Sequence, residues 1–275
     1  MPLPHLRLGL VAAVSVALLG SLAVTPAGAA PPDPGSAPDH PADVAGSDNR
    51  ARASEKVIVP VKSYGPGGID VSGWQPTVDW KGWWAKGKRF AYIKATEGTT
   101  YRAKTYRSQW TGSLSTGYIR GAYHYANPGG KAGWRQADYF VANGGAWTND
   151  GKTLPGMLDV EQGSARNGGI CYGRSKARMI RWITSFVNRY KARTGRAAVI
   201  YTNAGWWQAC TGNTTKFAKT NPLFLARWNT TPGTTLPGGW KTWTFWQYTD
   251  SPLDQDMFNG SYTKLKAYAK GTSGL

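Results

Sequence analysis

The pattern that most constrains the fold is an alternation that runs out. Up to residue 203, short apolar runs of strand character alternate with segments of helical spacing. The runs are GGIDVSGW (67–74), RFAYIKATEG (89–98), YIRGAYHYA (118–126), TLPGMLDVE (153–161) and AAVIYTN (197–203). Helical signals lie between: a short one that Asp79 can open, then 104–116 ending before Gly117, a stretch around 132–143, and 174–194. The last is the clearest, with Met179, Ile183, Phe186, Val187 and Tyr190 on one face and Gly195 as its stop. Strands joined through helices form parallel sheets with right-handed crossovers. Beyond 203 the helices fade, and PLFLARW (222–228), WTFWQYT (243–249) and LDQDMF (253–258) read as strands separated by loops or a short helix. Eight strands suggest closure, but a full eight-fold barrel takes ~250 residues and the span 65–275 is shorter. The expectation is an α/β, TIM-barrel-like modified barrel of five β/α units and three further strands, (β/α)5β3.

The flanking sequence sets the compartment. His5 and Arg7 precede an apolar run, Leu8 to Val24, and Ala27-Gly28-Ala29 follows as a cleavage signature. Residues 1–29 are read as a signal peptide, cut after Ala29 or Ala30, and the product as secreted and extracellular. No later segment is long and apolar enough to span a membrane. Residues 30–64, rich in Pro, Ala, Asp and Ser, read as a disordered pro-segment or linker. All 14 tryptophans lie beyond residue 73, so 65–275 is taken as the barrel domain. Cys171 and Cys210 are the only cysteines, and in an oxidising compartment a disulfide between them is expected.

Charge narrows the partners. Of 33 Lys+Arg and 15 Asp+Glu, 5 of each precede Gly65, leaving 28 and 10 in the domain. That excess attracts polyanions such as nucleic acid, anionic membrane or anionic wall polymer. Export and the absence of nucleic-acid motifs disfavour the first.

Elimination then leaves carboxylates to carry chemistry. The domain has one histidine, His124, which reads as structural, so histidine-rich zinc sites and Cys-x-x-Cys sites are excluded. There is no G-x-S-x-G elbow, P-loop or dinucleotide fingerprint. Neither a metal nor a cofactor is expected. Asp70, Glu97, Asp159, Glu161 and Asp254 lie in or at the ends of expected strands. Side chains alternate along a strand, so Asp159 and Glu161 share one face while Leu158 and Val160 share the other. The apolar pair can pack under helices. The acids then point to the barrel axis near the strand's C-terminal end, where barrel active sites are built. Close like charges push one pKa up, so one carboxyl can stay protonated beside an ionised neighbour, as glycosidases require. Each acid also has a bland reading, as a helix cap or an ion-pair partner. For Glu97 a pairing with Lys94 competes with a place in the substrate site, and Asp256 shares a face with Asp254, so either could be the site residue.

Aromatic rings at a barrel mouth make stacking platforms for sugars, although core packing suits most of the tryptophans better. Tyr123 and Tyr125 share one strand face. Trp246 and Tyr248 share another, with Gln247 opposite. Tyr123, Tyr125, Trp246, Gln247 and Glu97 are the candidate substrate contacts.

The ordered set GIDVSGWQ (68–75), FAYIKATEG (90–98), IRGAYHYANP (119–128), LPGMLDVE (154–161), WTFWQYTDS (243–251) and LDQDMFNG (253–260) resembles the glycoside hydrolase family 25 lysozymes. ICYG (170–173) and ACTG (209–212) are similar to cysteine segments of streptomycete members, the N,O-diacetylmuramidases of the cellosyl/mutanolysin kind. The resemblance covers essentially all of 66–275 and implies a barrel of five helices and eight strands. It also implies cleavage of the β-1,4 bond between N-acetylmuramic acid and N-acetylglucosamine in peptidoglycan. By motif it implies Glu161 as general acid/base and Asp159 as the carboxylate assisting the substrate's N-acetyl group, with net retention. Asp70 and Asp254 would tune or orient that pair. An inverting scheme with an aspartate base is the other possibility. Asp256 stands where the family usually has Asn. The expected protein is thus a secreted, monomeric muramidase acting on peptidoglycan glycan strands and held near anionic cell-wall polymers. Its rival is a non-catalytic wall-binding barrel, which would have no need of the D-x-E pair.

Overall fold

A computed structural model describes residues 61–272; the expected signal peptide and all but the end of the expected linker lie outside the described residues. The strands are β1 (Gly67–Val71), β2 (Lys88–Glu97), β3 (Tyr101–Arg102), β4 (Ile119–Tyr125), β5 (Met157–Asp159), β6 (Val199–Thr202), β7 (Leu223–Ala226), β8 (Phe245–Thr249) and β9 (Gln255–Phe258). The helices are α1 (Trp80–Ala85), α2 (Tyr106–Thr116), α3 (Gly133–Phe140), α4 (Lys176–Thr194), α5 (Ala204–Thr211) and α6 (Tyr262–Lys270). The sheet order is β1-β9-β8-β7-β6-β5-β4-β2-β3, and a further β1–β2 pairing closes eight of the strands into a barrel. β3 is a two-residue stub folded back on the end of β2.

Topology follows the chemistry of the connections. Each of α1 to α5 links one parallel strand to the next. Between β7 and β8 there is only loop and a short 3-10 turn at Pro237–Gly239, yet the pair is still parallel. The link from β8 to β9 is too short for a crossover, and β9 accordingly lies antiparallel to both β8 and β1. The chain is therefore a modified TIM-like α/β barrel with five β/α units and three further strands, as its sequence pattern predicts. α6 is an addition to that expectation.

Alternation along the strands sorts apolar side chains into two cores. The outer one lies between barrel and helices and holds Ile69, Val71, Ala91, Ile93, Leu158, Val160, Ile200 and Leu225. The buried stripe of α4, including Met179, Ile183, Phe186 and Tyr190, belongs to it. The inner core fills the barrel with Phe90, Tyr92, Met157, Val199, Phe224, Phe245 and Phe258. Leu265, Tyr268 and Ala269 of α6 join this inner cluster. α6 thereby closes the bottom of the barrel, which its sequence neighbours alone do not reveal. Filling the barrel with aromatics demands room: a Cβ on Gly121 of β4 would sit 2.5 Å from the Tyr92 ring.

Local signals end the helices where the residues dictate. The Asp79 side chain accepts from the Gly82 amide at 2.9 Å and caps α1. Ser175 caps α4, and Gly195 ends it at φ 73°, a left-handed conformation that suits glycine. Cys171 and Cys210 form the expected disulfide, Cα–Cα 5.3 Å, tying the loop before α4 to α5 across 39 residues of sequence.

Candidate active site

The inner face of the barrel changes character toward the C-terminal ends of its parallel strands. Above the aromatic layers, polar side chains from several strands converge on one open mouth. Asp70 reaches it from β1, Lys94 from β2, Tyr123 and Tyr125 from β4, Asp159 and Glu161 from the end of β5, and Gln247 from β8. Glu161 lies two residues past β5, but the strand geometry continues, because Val160 N–H donates to Tyr201 O at 3.0 Å. Asp159 and Glu161 therefore share the inner face while Leu158 and Val160 pack outside, as alternation requires.

The carboxyls are almost completely withdrawn from water, with 7%, 5% and 7% of the surface of Asp70, Asp159 and Glu161 exposed. Burial is the main cause that pushes Glu161 up to about 7; the Asp70 charge adds to it, and Lys94 and a hydrogen bond with Asp159 oppose it. Burial also holds Asp159 well above the usual carboxylate range, with the Glu161 charge reinforcing it. The two carboxyls approach within hydrogen-bonding reach, and the charge of Glu161 raises Asp159, so protonation of one depends on the state of the other.

Asp70 is held from the opposite side. Gln247 Nε2 donates to Asp70 Oδ2 at 2.9 Å. The Gln247 carbonyl oxygen is itself fixed by Tyr201 Oη at 3.0 Å and Trp228 Nε1 at 2.8 Å. With both donors on the carbonyl, the amide group must turn its N–H toward the acid. Burial pushes Asp70 up to about 6, and the hydrogen bonds from Gln247 and Asp256 hold it back.

Asp254 and Asp256 occupy different depths. Asp254 lies just before β9 and lines the mouth, and its carbonyl accepts from the Asp70 amide at 3.2 Å. Asp256 pairs in register with Gly68 and with Gln247, below the mouth, and is fully buried. Burial and the charges of Asp70 and Asp254 push Asp256 well above the usual range, while Lys88 opposes this. The extra carboxyl at 256 is thus a buried neighbour of Asp70, not part of the mouth.

Two of the sequence-derived candidates fall elsewhere. Trp246 is fully buried on the outer face of β8, its ring 6.0 Å from Trp243 and its Nε1 donating to Arg227 O at 2.7 Å. It offers no stacking surface. Gln247 and Trp246 are consecutive on a strand, so only one can face inward, and it is Gln247. Glu97 is paired with Lys94 at 3.1 Å, both nearly inaccessible, and borders a neighbouring groove with Thr99 and Asn127 instead of the mouth. His124 faces outward beneath α3, bonded to Thr96 Oγ1 at 2.8 Å and Gln136 Oε1 at 3.0 Å, and burial pulls it down to about 4. Its structural reading agrees with this placement.

Besides Tyr201 of β6, two tryptophans of the mouth were not among the candidates. Trp74, in the loop after β1, is 60% exposed and lines the mouth; Trp228, after β7, lines it beside Gln247. Both lie in loops, where strand alternation gives no orientation. An exposed tryptophan directly after an inward aspartate, in DVSGW, is the signal that could have found the first.

A buried carboxyl pair, a third acid held by an oriented amide, and an exposed indole at the rim form the equipment of glycoside hydrolysis. The model of the Glycosyl hydrolases family 25 matches residues 69–257, which include β5, β8 and most of β1 and β9. The chain is 51% identical over 207 residues to an N,O-diacetylmuramidase of Arthroderma benhamiae, covering 74% of this chain and 86% of that protein. It is 44% identical over 231 residues to Lysozyme M1 of Streptomyces globisporus, covering 81% and 78%. The solved structure of a muramidase from Trichobolus zukalii superposes with a TM-score of 0.73 at 50% identity, covering 75% of this chain and all of that one. The chain belongs to glycosyl hydrolase family 25 and is a glycoside hydrolase.

Proposed function

We propose that this protein is a secreted muramidase that hydrolyses the β-1,4 bond between N-acetylmuramic acid and N-acetylglucosamine in peptidoglycan, with retention of anomeric configuration. The observation that carries the mechanism is the buried Asp159–Glu161 pair on the inner face at the end of β5. Glu161, near neutrality when buried, is suited to give its proton to the leaving glycosidic oxygen and to take one from the incoming water. Asp159, ionised while Glu161 carries the proton, orients and stabilises the substrate's own 2-acetamido group, whose carbonyl oxygen bonds to the anomeric carbon as the bond to the leaving oxygen breaks. The positive charge that develops at the anomeric carbon as the glycosidic bond breaks favours an ionised Asp159 beside a proton-donating Glu161. Two carboxyls in hydrogen-bonding reach leave no space between them for the water that an inverting pair must hold, which favours retention. Asp70, oriented by Gln247, and Asp254 supply negative potential around the sugar. Trp74 and Trp228 offer ring faces for stacking.

The test is product analysis on defined glycan fragments. N-acetylmuramic acid at the new reducing end, released first as the β-anomer, is the expected result. N-acetylglucosamine at that end refutes the bond assignment, and an initial α-anomer refutes retention. Sedimentation with walls without any new reducing ends would favour the binding-module alternative.

A further inference from the structure

The barrel has a second large groove, at the end away from the mouth. It is bordered by Ala197 before β6, Pro222 and Leu223 at the start of β7, and Thr244 before β8, so it lies at the N-terminal ends of these strands. The two ends differ in sign. The mouth is lined by five carboxylate residues, Asp70, Asp159, Glu161, Asp250 and Asp254, against the single cation Lys94. The base groove is lined by four cations, Arg196, Lys216, Lys219 and Lys241, and by no Asp or Glu. Lys216, Lys219 and Lys241 are exposed on its rim. Arg196 is anchored deeper: its guanidinium lies 4.7 Å over the Trp147 ring, and Nη2 donates to Tyr268 O at 3.1 Å. Arg196 Nη1 and Tyr268 Oη, both buried, have no hydrogen-bond partner. Arg196 is thus fixed as a cation in the groove wall, below a rim of three exposed lysines. Four threonines and Asn221 add neutral hydrogen-bonding groups along it.

We propose that this base groove binds a linear polyol-phosphate polymer of the cell wall and holds the enzyme on the wall while the opposite end works on the glycan. The proposal rests on the wall-glycan reading of the mouth. Lysines on a groove rim can each meet a phosphate of an extended chain, with sugar or polyol hydroxyls on the threonines. An acidic mouth repels the same polymer, so its two ends select two different wall components. Nucleic acid would also satisfy the lysines, but the groove leaves few ring faces for bases: Trp240 is buried and Tyr268 is covered by Arg196.

The test uses the full chain and its K216Q/K219Q/K241Q variant, in sedimentation with whole walls bearing polyol phosphate and with the same walls stripped of it by acid. All three lysines are on the surface, so folding is expected to be unaffected, and Arg196 stays in place. The variant should bind whole walls at least ~10-fold more weakly, with a log–log salt slope shallower by about 2, as expected for three lost phosphate contacts. Both proteins should bind stripped walls alike. Equal binding of wild type and variant to whole walls overturns the proposal. Displacement of wild type from whole walls by DNA at lower phosphate concentration than by soluble polyol phosphate overturns it too. Cleavage of a soluble glycan fragment, measured alongside, should be equal in both; a fragment left uncut by both refutes the reading of the mouth separately from the binding ratio that decides the groove.

Discussion

Replacing Gln247 by Met tests whether the mouth works through an oriented amide. Gln247 gives Asp70 a hydrogen bond of 2.9 Å, and its carbonyl is held by Tyr201 and Trp228. A hydrogen bond to a charged group contributes about 1.5–3 kcal/mol. Its removal selectively destabilises the ionised form, and at 1.36 kcal/mol per pKa unit the carboxyl should rise by about 1–2 units. Asp70 already stands at about 6 because of burial, so it would titrate above neutrality. The acid limb of the kcat/KM profile for glycan-fragment cleavage should move to higher pH by the same 1–2 units. At the wild-type optimum the rate should fall roughly ten-fold, while activity recovers on the alkaline side. Tyr201→Phe is the control, since it loosens the amide without removing the donor to Asp70, and should shift the limb by less than half as much. An acid limb that stays in place in Gln247→Met, with activity lost evenly at all pH values, would leave Gln247 a purely structural group with no hold on the ionisation of Asp70.

Further outcomes follow from other parts of the structure. Asp70 and Glu161 are held at about 6 and about 7 in the fold, above their values in an unfolded chain, so the folded protein binds more protons and stability falls as pH rises from about 4 to about 7. Asp70→Asn should therefore raise the melting temperature at pH 7.5 by several degrees and leave it nearly unchanged at pH 4; equal shifts at both would contradict the burial argument. Removing the Cys171–Cys210 bridge by a double change to Ala reopens a 39-residue separation. In the chain-entropy model that costs about 4 kcal/mol, or roughly 8–16 °C in melting temperature for a domain of this size, measurable by calorimetry. Trp74→Ala should raise KM roughly 5–30-fold, corresponding to one or two kcal/mol, with kcat changed far less. A large loss of kcat with KM unchanged would place Trp74 in the chemistry instead.

Much of this was legible in the chain because strands have two faces. Period-two alternation was enough to put Leu158 and Val160 outside and Asp159 and Glu161 inside, and the fading of helical signal after residue 203, where only the short α5 precedes β7, foretold the non-uniform end of the barrel. The same rule, applied strictly, would have excluded Trp246 once Gln247 was placed at the mouth, because neighbours on one strand cannot share a cavity. Depth along the axis is another matter. Asp254 and Asp256 both face inward, and only the antiparallel register of β9 with β1 and β8 sets one at the mouth and one beneath it. Trp74 and Trp228 stand on loops, whose direction depends on packing and not on period. α6 is short, and its apolar stripe becomes meaningful only when the open bottom of the barrel is known. The base groove was invisible for a similar reason: Arg196, Lys216, Lys219 and Lys241 are scattered along the chain and meet only through the parallel strands that start beside them.

On the proposed mechanism, the buried pair at the end of β5 transfers a proton to the glycosidic oxygen. Glu161→Gln keeps the shape of the side chain and removes the transferable proton. Reducing ends released per enzyme from a defined glycan fragment should fall by at least 10²-fold, within the range ascribed to general acid catalysis, while the variant still sediments with whole walls. A Glu161→Gln protein that cuts the fragment at the wild-type rate would contradict the account.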